Sequence, residues 1–504
     1  HCKKVRDLMQ LMYLGEIVMY KLKKEEIRDI GLNFVFSQMK ILTPMGRNRI
    51  KNLEIFGKDN KEKLLVEFSN ISYCLDNIIN RKEVYTQFAS ILSKIKDISG
   101  TITNLKNQRT LDIVELYEVK IFSYYVNSLI KAVHTNNISI QNFELESLND
   151  VYALLDPEGM KLPTFMIYDD YCENLSKIRK DKKRLEQEIR NETNSDLIEK
   201  TLSKRRDLVY QEEIREQEIR KELTKKLGHF AYIIEKNINL VTYLDLLIAK
   251  AKLAKDYKCN CPKITDTYEI HLDNMNNPYF NSILKEKGSS YVPVGLKLQE
   301  GATVITGANM GGKSLTLKTL LLNVTLAQLG FFVFADYVSL PVLDYIYMIM
   351  DDLQSVNRGL SSFGAEIKAL DEAIDLSLSG RGLIVMDELA RGTNPQEGKA
   401  IVNAVVRFLN DKDTFSVIST HYDSIDLKDV VQYRVRGLKN IDFDKLSVSS
   451  ISESSSNHEL LQQLMDYTLE KCEDEAVPKD ALNICKFLGL NQELYSIIKK
   501  YYEE

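Results

Sequence analysis

Residues 307 to 314 read Gly307-Ala308-Asn309-Met310-Gly311-Gly312-Lys313-Ser314, and further on a run Leu383-Ile384-Val385-Met386 ends in Asp387-Glu388. The first is the pattern G-x-x-x-x-G-K-S. Its glycines let backbone N–H groups close around phosphate oxygens, and the following helix N-terminus adds a favourable partial charge. Lys313 is expected to reach the β- and γ-phosphates of a nucleoside triphosphate, and Ser314 to hold Mg²⁺. Asp387 would complete the Mg²⁺ shell through water while Glu388 polarises the attacking water. A third run, Phe415-Ser416-Val417-Ile418-Ser419-Thr420, ends in His421, one of six histidines. Three such ends converging on one phosphate favour His421 as a γ-phosphate sensor, and the chemistry they describe is hydrolysis of ATP or GTP.

Those residues need elements to carry them. Ala302-Thr303-Val304-Ile305-Thr306 reads as a short buried strand before the loop, and Leu315, Leu317, Leu320, Leu321 and Val324 give a helix after it. Strand, loop and helix thus stand in the order that phosphate binding requires. The runs ending at Asp387 and Ser419 read as further buried strands, whose carboxyl ends are where an α/β sheet presents groups to a ligand.

With these residues in view, Gly307 to Ser314, Asp387-Glu388-Leu389-Ala390-Arg391-Gly392-Thr393 and Ser419-Thr420-His421-Tyr422 resemble the ATPase motifs of the MutS family, which are ABC-type ATPases. Between them, Asp352-Leu353-Gln354-Ser355-Val356-Asn357-Arg358-Gly359-Leu360-Ser361-Ser362-Phe363 is similar to the family's glutamine loop and Ser-Thr-Phe signature. The order and spacing match over roughly residues 270 to 430. Gln354-Ser355, Leu360-Ser361-Ser362-Phe363 and Asn394-Pro395-Gln396-Glu397-Gly398 look like the MutS-like branch that acts outside mismatch repair, whereas Asn309-Met310 looks like the mismatch-repair branch. Asn394 stands where the former usually has Asp, and Val294-Gly295 after Val292-Pro293 departs from the usual Asn-Asp, so adenine contacts are not carried over. Tyr291 is placed to stack on the base or to pack at a strand start.

The resemblance implies ATP with Mg²⁺ as the bound pair, held by Gly307, Asn309, Met310, Gly311, Gly312, Lys313, Ser314, Leu315 and Gln354. It also implies a composite site in a homodimer, where Ser361 and Ser362 of one subunit cap the γ-phosphate held by Lys313 of the other. Hydroxyls cannot neutralise phosphate, but they bond its oxygens only when two subunits close, which turns ATP binding into a switch.

The 504 residues suggest about three or four domains. No stretch reads as a membrane span, no basic-then-apolar signal segment opens the chain, and a start at His1 reads as a sequence whose beginning is missing. Cysteines at 2, 74, 172, 259, 261, 472 and 485 show no disulfide or zinc spacing, which points to a reduced cytoplasm. A net charge of −5 gives no overall field that attracts DNA. The run Lys177, Arg179, Lys180, Lys182, Lys183, Arg184 is the sharpest basic patch, although Glu186 and Glu188 follow it as on a solvated helix face.

The expected organisation is a helical core over 1–155, helical lever arms with a reduced or absent clamp over 156–255, the P-loop ATPase domain over 256–450 and a helical dimerisation tail over 451–504. The fold class is therefore an α/β ABC-type P-loop ATPase domain, a mixed sheet flanked by helices, preceded by an all-α core domain with antiparallel lever arms. Leu64, Phe68, Ile71, Leu75, Ile78 and Ile79 show the core periodicity. Thr43-Pro44-Met45-Gly46-Arg47 is similar to the family's helix start there. Sparse apolar positions among dense charges from Tyr171 to Leu227 predict two arms, the first about 30 Å long, turning at Asn191 to Asp196. No alternating strands lie between them to wrap a duplex. The mismatch-reading and nuclease domains of the family are not found, so no cleavage of nucleic acid is expected.

Two targets follow. One is a mismatched or branched DNA, gripped and released with ATP in repair or recombination. The alternative, from the likeness of clampless MutS-like ATPases to reactivase subunits, is a cobalamin-dependent lysine or ornithine aminomutase or a second reactivase subunit. No membrane partner is expected.

Overall fold

A computed structural model describes residues 22, 24–160, 164–307, 312–350, 362–422, 425, 429–437, 466–472, 485 and 490–503. The chain divides into two compact units, His1–Met39 with Leu53–Ser69 and Leu253–Glu504, and Lys40–Asn52 with Asn70–Lys252.

The second unit is helical among its described residues. Asp112 opens the helix Ile113–Thr135 with a reciprocal capping box to Glu115. Thr43 caps the helix Pro44–Arg49, its Oγ1 accepting from the Gly46 N–H at 3.0 Å. Asp245 in turn accepts from the N–H groups of Leu42 and Thr43 and from Thr43 Oγ1 at 2.6 Å. Burial pushes its carboxyl pKa up, against the pull of those bonds. A Cβ on Gly46 would stand 2.7 Å from Asp245 Oδ2, so Gly46 lets the cap close on its anchor.

From this unit the helices Glu173–Asn191 and Ser195–Gly228 run as an antiparallel pair, the first of 19 residues. Only residues 192–194 separate them, and no strand lies within 173–228. The turn holds itself: the Glu192 carboxylate accepts from the N–H groups of Thr193 and Asn194, and the Asn194 side chain caps the second helix. Arg179 bridges Asp169, Glu212 and Glu216, Lys182 pairs with Glu212, and Arg205 pairs with Glu186 across the seam. The basic run is therefore divided. Arg179 and Lys182 are used within the pair, while Lys177, Lys180, Lys183 and Arg184 are exposed.

In the first unit, strands β1 (Lys263–Ile264), β2 (Glu269–Met275), β3 (Val294–Gln299), β4 (Gly301–Thr306), β5 (Tyr337–Leu340), β6 (Ile346–Ile349), β7 (Leu383–Met386), β8 (Phe415–Ser419), β9 (Val431–Gly437) and β10 (Asp466–Lys471) form two sheets. One has the order β1-β5-β2-β3, and the other β10-β9-β4-β8-β7-β6. From β9 to β6 neighbours run parallel, and only β10 is antiparallel. β4, β7 and β8 are buried along their whole length, as a parallel sheet covered on both faces demands, which is why none shows a polar–apolar alternation that would mark a solvent face.

The helix Lys313–Gln328 touches strands of both sheets and is buried almost all round. Its buried amide side chains are satisfied: Asn323 serves Asn276, Thr319 and Phe334, and Gln328 serves Phe56 and Leu343. The helices Ser362–Ser379 and Pro395–Asn410 help cover the six-stranded sheet through a core of Val304, Ile384, Met386, Leu376, Val402 and Val406.

Two expectations need correction. Residues 451–504 are not helical throughout, because β10 extends the six-stranded sheet at 466–471. The helical stretch 1–155 is not one body either, because its described segments 24–39 and 53–69 pack within the first unit, as in the Phe36–Phe331 and Phe68–Phe332 ring contacts. Periodicity shows that a helix face is buried, not what buries it.

Candidate functional site

β4 delivers the chain to Gly307, whose φ of +137° disfavours any side chain and where an added Cβ would stand 3.1 Å from Val435 Cβ. Residues 308–311, and with them the candidates Asn309, Met310 and Gly311, lie outside the described residues. The chain re-enters at Gly312, left-handed at φ +84°, which precedes the helix starting at Lys313. Lys313 is 4% exposed and donates from Nζ to the Gly307 carbonyl at 2.7 Å, so the lysine folds back over the loop mouth. Burial lowers its pKa below the ordinary lysine value, while the charges of Glu388 and Asp387 push it back up and Arg391 adds to the lowering. An amine so placed gains from an anion. Ser314 is exposed at the first helical turn and Leu315 half-buried beside it.

The acids come from the neighbouring strands. Register pairs Ile305 with Ser419 and Met386 with Ile418, so Ile305, Asp387 and Ser419 stand level at one edge of the sheet. The Asp387 N–H is bonded to the Ile349 carbonyl at 2.9 Å, and its Oδ1 accepts from Ser419 Oγ at 2.5 Å. Glu388 follows with φ +51° and Ala390 with φ +62°, conformations that a non-glycine residue holds only when its surroundings impose them. Here they do: Ser419 Oγ accepts from the Glu388 N–H at 3.0 Å, Glu366 Oε1 from the Ala390 N–H at 2.7 Å, and the Ala390 carbonyl takes the Tyr422 hydroxyl at 2.8 Å. The Glu388 carboxylate, 15% exposed, pairs with Arg391 at 2.8 Å. His421 is exposed just beyond β8, its ring 4.3 Å from that of Tyr422.

The edge thus brings together Gly307, Gly312, Lys313, Ser314, Asp387, Glu388 and His421. Left-handed glycines frame the loop, a buried ammonium closes it, and two carboxylates face it, a donor set suited to a triphosphate with a divalent cation. Residues 303–472 match the family model for MutS domain V, the ATPase domain of MutS proteins. Over these residues the chain is similar to the MutS family.

Among its relatives, an Endonuclease MutS2 of Lactobacillus acidophilus is 33% identical over 41% of this chain and 27% of its own length. Endonuclease MutS2 of Alkaliphilus metalliredigens is 31% identical over 48% of this chain and 30% of its own, and that of Lacticaseibacillus casei 34% over 41% and 26%. The similar stretch therefore spans less than a third of those proteins. MutS-family ATPases bind ATP, and no helix among the described residues is long and apolar enough to cross a membrane.

Gln354 and Ser361 lie outside the described residues, as does the side chain of Ser362, whose backbone opens the helix Ser362–Ser379. The Tyr291 hydroxyl is bonded to Thr319 Oγ1 at 2.8 Å, and burial pushes its pKa to about 12, so it is engaged on the helix that follows the loop. Asn394 caps the helix Pro395–Asn410, its side chain accepting from the Gln396 N–H at 2.9 Å, a task Asp does equally well.

Tyr467 of β10 went unread in the sequence. Its Cδ1 lies 3.0 Å from where a Cβ on Gly312 would be. Gly312→Ala is accordingly expected to cost roughly 1–2 kcal/mol through its left-handed backbone alone. Thermal unfolding and equilibrium ATP binding of the variant check this, with both expected to weaken.

Proposed function

We propose that the chain is an ATP-hydrolysing, nucleotide-driven dimeric switch. The observation that carries this reading is the single sheet edge at which the buried Lys313 ammonium meets the charges of Asp387 and Glu388. In it, Gly307, Gly312 and the backbone between them cradle the phosphates, Lys313 bonds the β- and γ-oxygens, and Ser314 and Asp387 hold Mg²⁺ directly and through water. Bound Mg²⁺ would supply charge neutralisation of the β- and γ-phosphates. Glu388 orients water for attack on the γ-phosphorus and takes its proton as the bond from phosphorus to the β–γ bridging oxygen breaks and ADP leaves, and His421 bonds the γ-phosphate. Ser361 and Ser362 from a second copy complete the pocket on dimerisation.

DNA is the target that the likeness to the MutS family supports, with the exposed Lys177, Lys180, Lys183 and Arg184 as phosphate contacts. One observation favours a protein target instead. Leu202, Val209, Tyr210 and Ile214 on the longer arm helix are 39%, 38%, 66% and 40% exposed, and phosphates have no use for such groups.

The test is ATP turnover alone and with homoduplex, mismatched and branched DNA at low and near-physiological salt. DNA binding predicts structure-selective stimulation that weakens as salt rises. Turnover indifferent to every DNA would sink that target. Ser361→Ala with Ser362→Ala should lower turnover by about 10²-fold or more, as loss of preorganised donors does, and unchanged turnover would remove the composite site.

A further inference from the structure

Asp387 and Glu388 are held by the same hydroxyl. Ser419 is the last residue of β8 and fully buried. Its Oγ donates to Asp387 Oδ1 at 2.5 Å and accepts from the Glu388 N–H at 3.0 Å. The two bonds use the hydroxyl as donor and acceptor at once, and a methyl group of similar size can do neither. They also act on different things. The first occupies one oxygen of the Asp387 carboxylate and so fixes which way the other faces. The second clamps the peptide that enters Glu388, the residue whose φ of +51° requires outside support.

We propose that Ser419 is the positioning residue of this site, aligning Asp387 for the metal and Glu388 for water through one hydroxyl. This rests on the reading of the site as an ATPase. The neighbouring hydroxyls are employed elsewhere: Tyr422 donates to the Ala390 carbonyl, and Thr420 Oγ1 accepts from the Tyr422 N–H. Neither reaches the acids, so no adjacent group duplicates Ser419 in this arrangement.

The proposal separates cation from nucleotide. Both of these bonds of Ser419 go to the acidic pair, so binding of ATP in the presence of a chelator should be unaltered by its loss. Use of Mg²⁺ and the hydrolytic step should both suffer. Ser419→Ala, in the full chain, is expected to raise the Mg²⁺ concentration for half-maximal turnover and to lower kcat, each by about 10–100-fold, the usual effect of removing a group that orients a metal ligand. Ser419→Thr keeps the hydroxyl and should return the Mg²⁺ requirement to near that of the wild type, even if the added methyl lowers the melting temperature.

Mg²⁺ titrations of turnover, chelated binding of a fluorescent ATP analogue and thermal unfolding are read together on all three proteins. A Ser419→Ala protein with an unchanged Mg²⁺ requirement overturns the proposal. So does equal impairment of Ser419→Ala and Ser419→Thr, since packing rather than the hydroxyl would then be at stake. A wild-type protein that binds no ATP and turns none over overturns the ATPase reading instead, a result distinct from either.

Discussion

Glu388→Gln is expected to lower ATP turnover by about 10²–10⁴-fold, the range over which a positioned general base acts, while ATP binding persists. Glutamine keeps the shape of a side chain that is only 15% exposed at the end of β7, so the fold has little reason to respond. What disappears is the proton acceptor. The change also reaches Lys313, because the Glu388 charge is the foremost influence holding up a lysine pKa that burial lowers. Removing that charge lowers the Lys313 pKa further in the nucleotide-free protein, and the triphosphate, bringing its own negative charge, restores it. ATP should therefore remain bound and unhydrolysed, and the dimer that ATP closes should persist. Single-turnover hydrolysis with radiolabelled ATP, beside size-exclusion chromatography with ATP and Mg²⁺, checks both. Turnover within about threefold of wild type, well inside the range expected for a base, would pass the role to another group at this edge, with His421 the first to test.

The residues of that prediction were legible in the sequence for a physical reason. β4, β7 and β8 are covered on both faces, so each is a mainly apolar run of small and branched residues, and the polar residues just after such a run stand at the ligand edge. Asp387, Glu388 and His421 were legible from that place, and Lys313 from the G-x-x-x-x-G-K-S spacing. What holds them did not show. Ser419 reads as one more small residue in a buried strand, and its two bonds depend on the register of β8 with β7 and on the turn at Glu388. β10 is half-buried on successive residues, without the alternation that marks a strand, and its Tyr467 meets Gly312 across a sequence separation that no local pattern spans. Tyr291 offered an aromatic ring at a suitable place, yet its hydroxyl was already committed to Thr319. In the arms the charged run looked like a solvated face, but Arg179 and Lys182 point into the seam, where their carboxylate partners come from the other helix. Charge pattern along one helix gives exposure only when the neighbouring helix is known.

Away from the nucleotide, the largest expected effect on stability lies in the helical unit, at Lys120. Lys120 and Asp156 are both 0% exposed, with Nζ 3.0 Å from Oδ1, and the Tyr168 hydroxyl bonds Lys120 at 2.9 Å and Asp156 at 3.1 Å. Lys120→Ala leaves the carboxylate buried without its cation, a loss of about 3–5 kcal/mol, followed as reduced amide protection along Ile113–Thr135 in hydrogen exchange. Lys120→Met combined with Asp156→Leu removes both charges and should recover most of that loss, since apolar replacement of a buried pair is often neutral or better. Part of the deficit should remain, about 1–3 kcal/mol per hydroxyl, because those of Tyr168 and Tyr152 then lose Asp156, and adding Tyr168→Phe should remove the share that belongs to Tyr168.

The alkaline limb separates charge from packing. Burial works to lower the Lys120 pKa, but the bonds to Tyr168 and Asp156 outweigh it and hold the value above that of an ordinary lysine. A group whose folded pKa is raised contributes stability that is complete below its unfolded pKa, here 10.5, and lost as pH rises through the folded value. The wild type should therefore weaken as pH rises above that point, and the doubly apolar variant should lose less over the same interval. Parallel declines would mean that the pair contributes shape alone. Because Tyr168 stands just before the helix Glu173–Asn191, and Asp156 just after the helix Asn149–Leu155, such a result would also imply that packing without charge sets how the arm leaves its core.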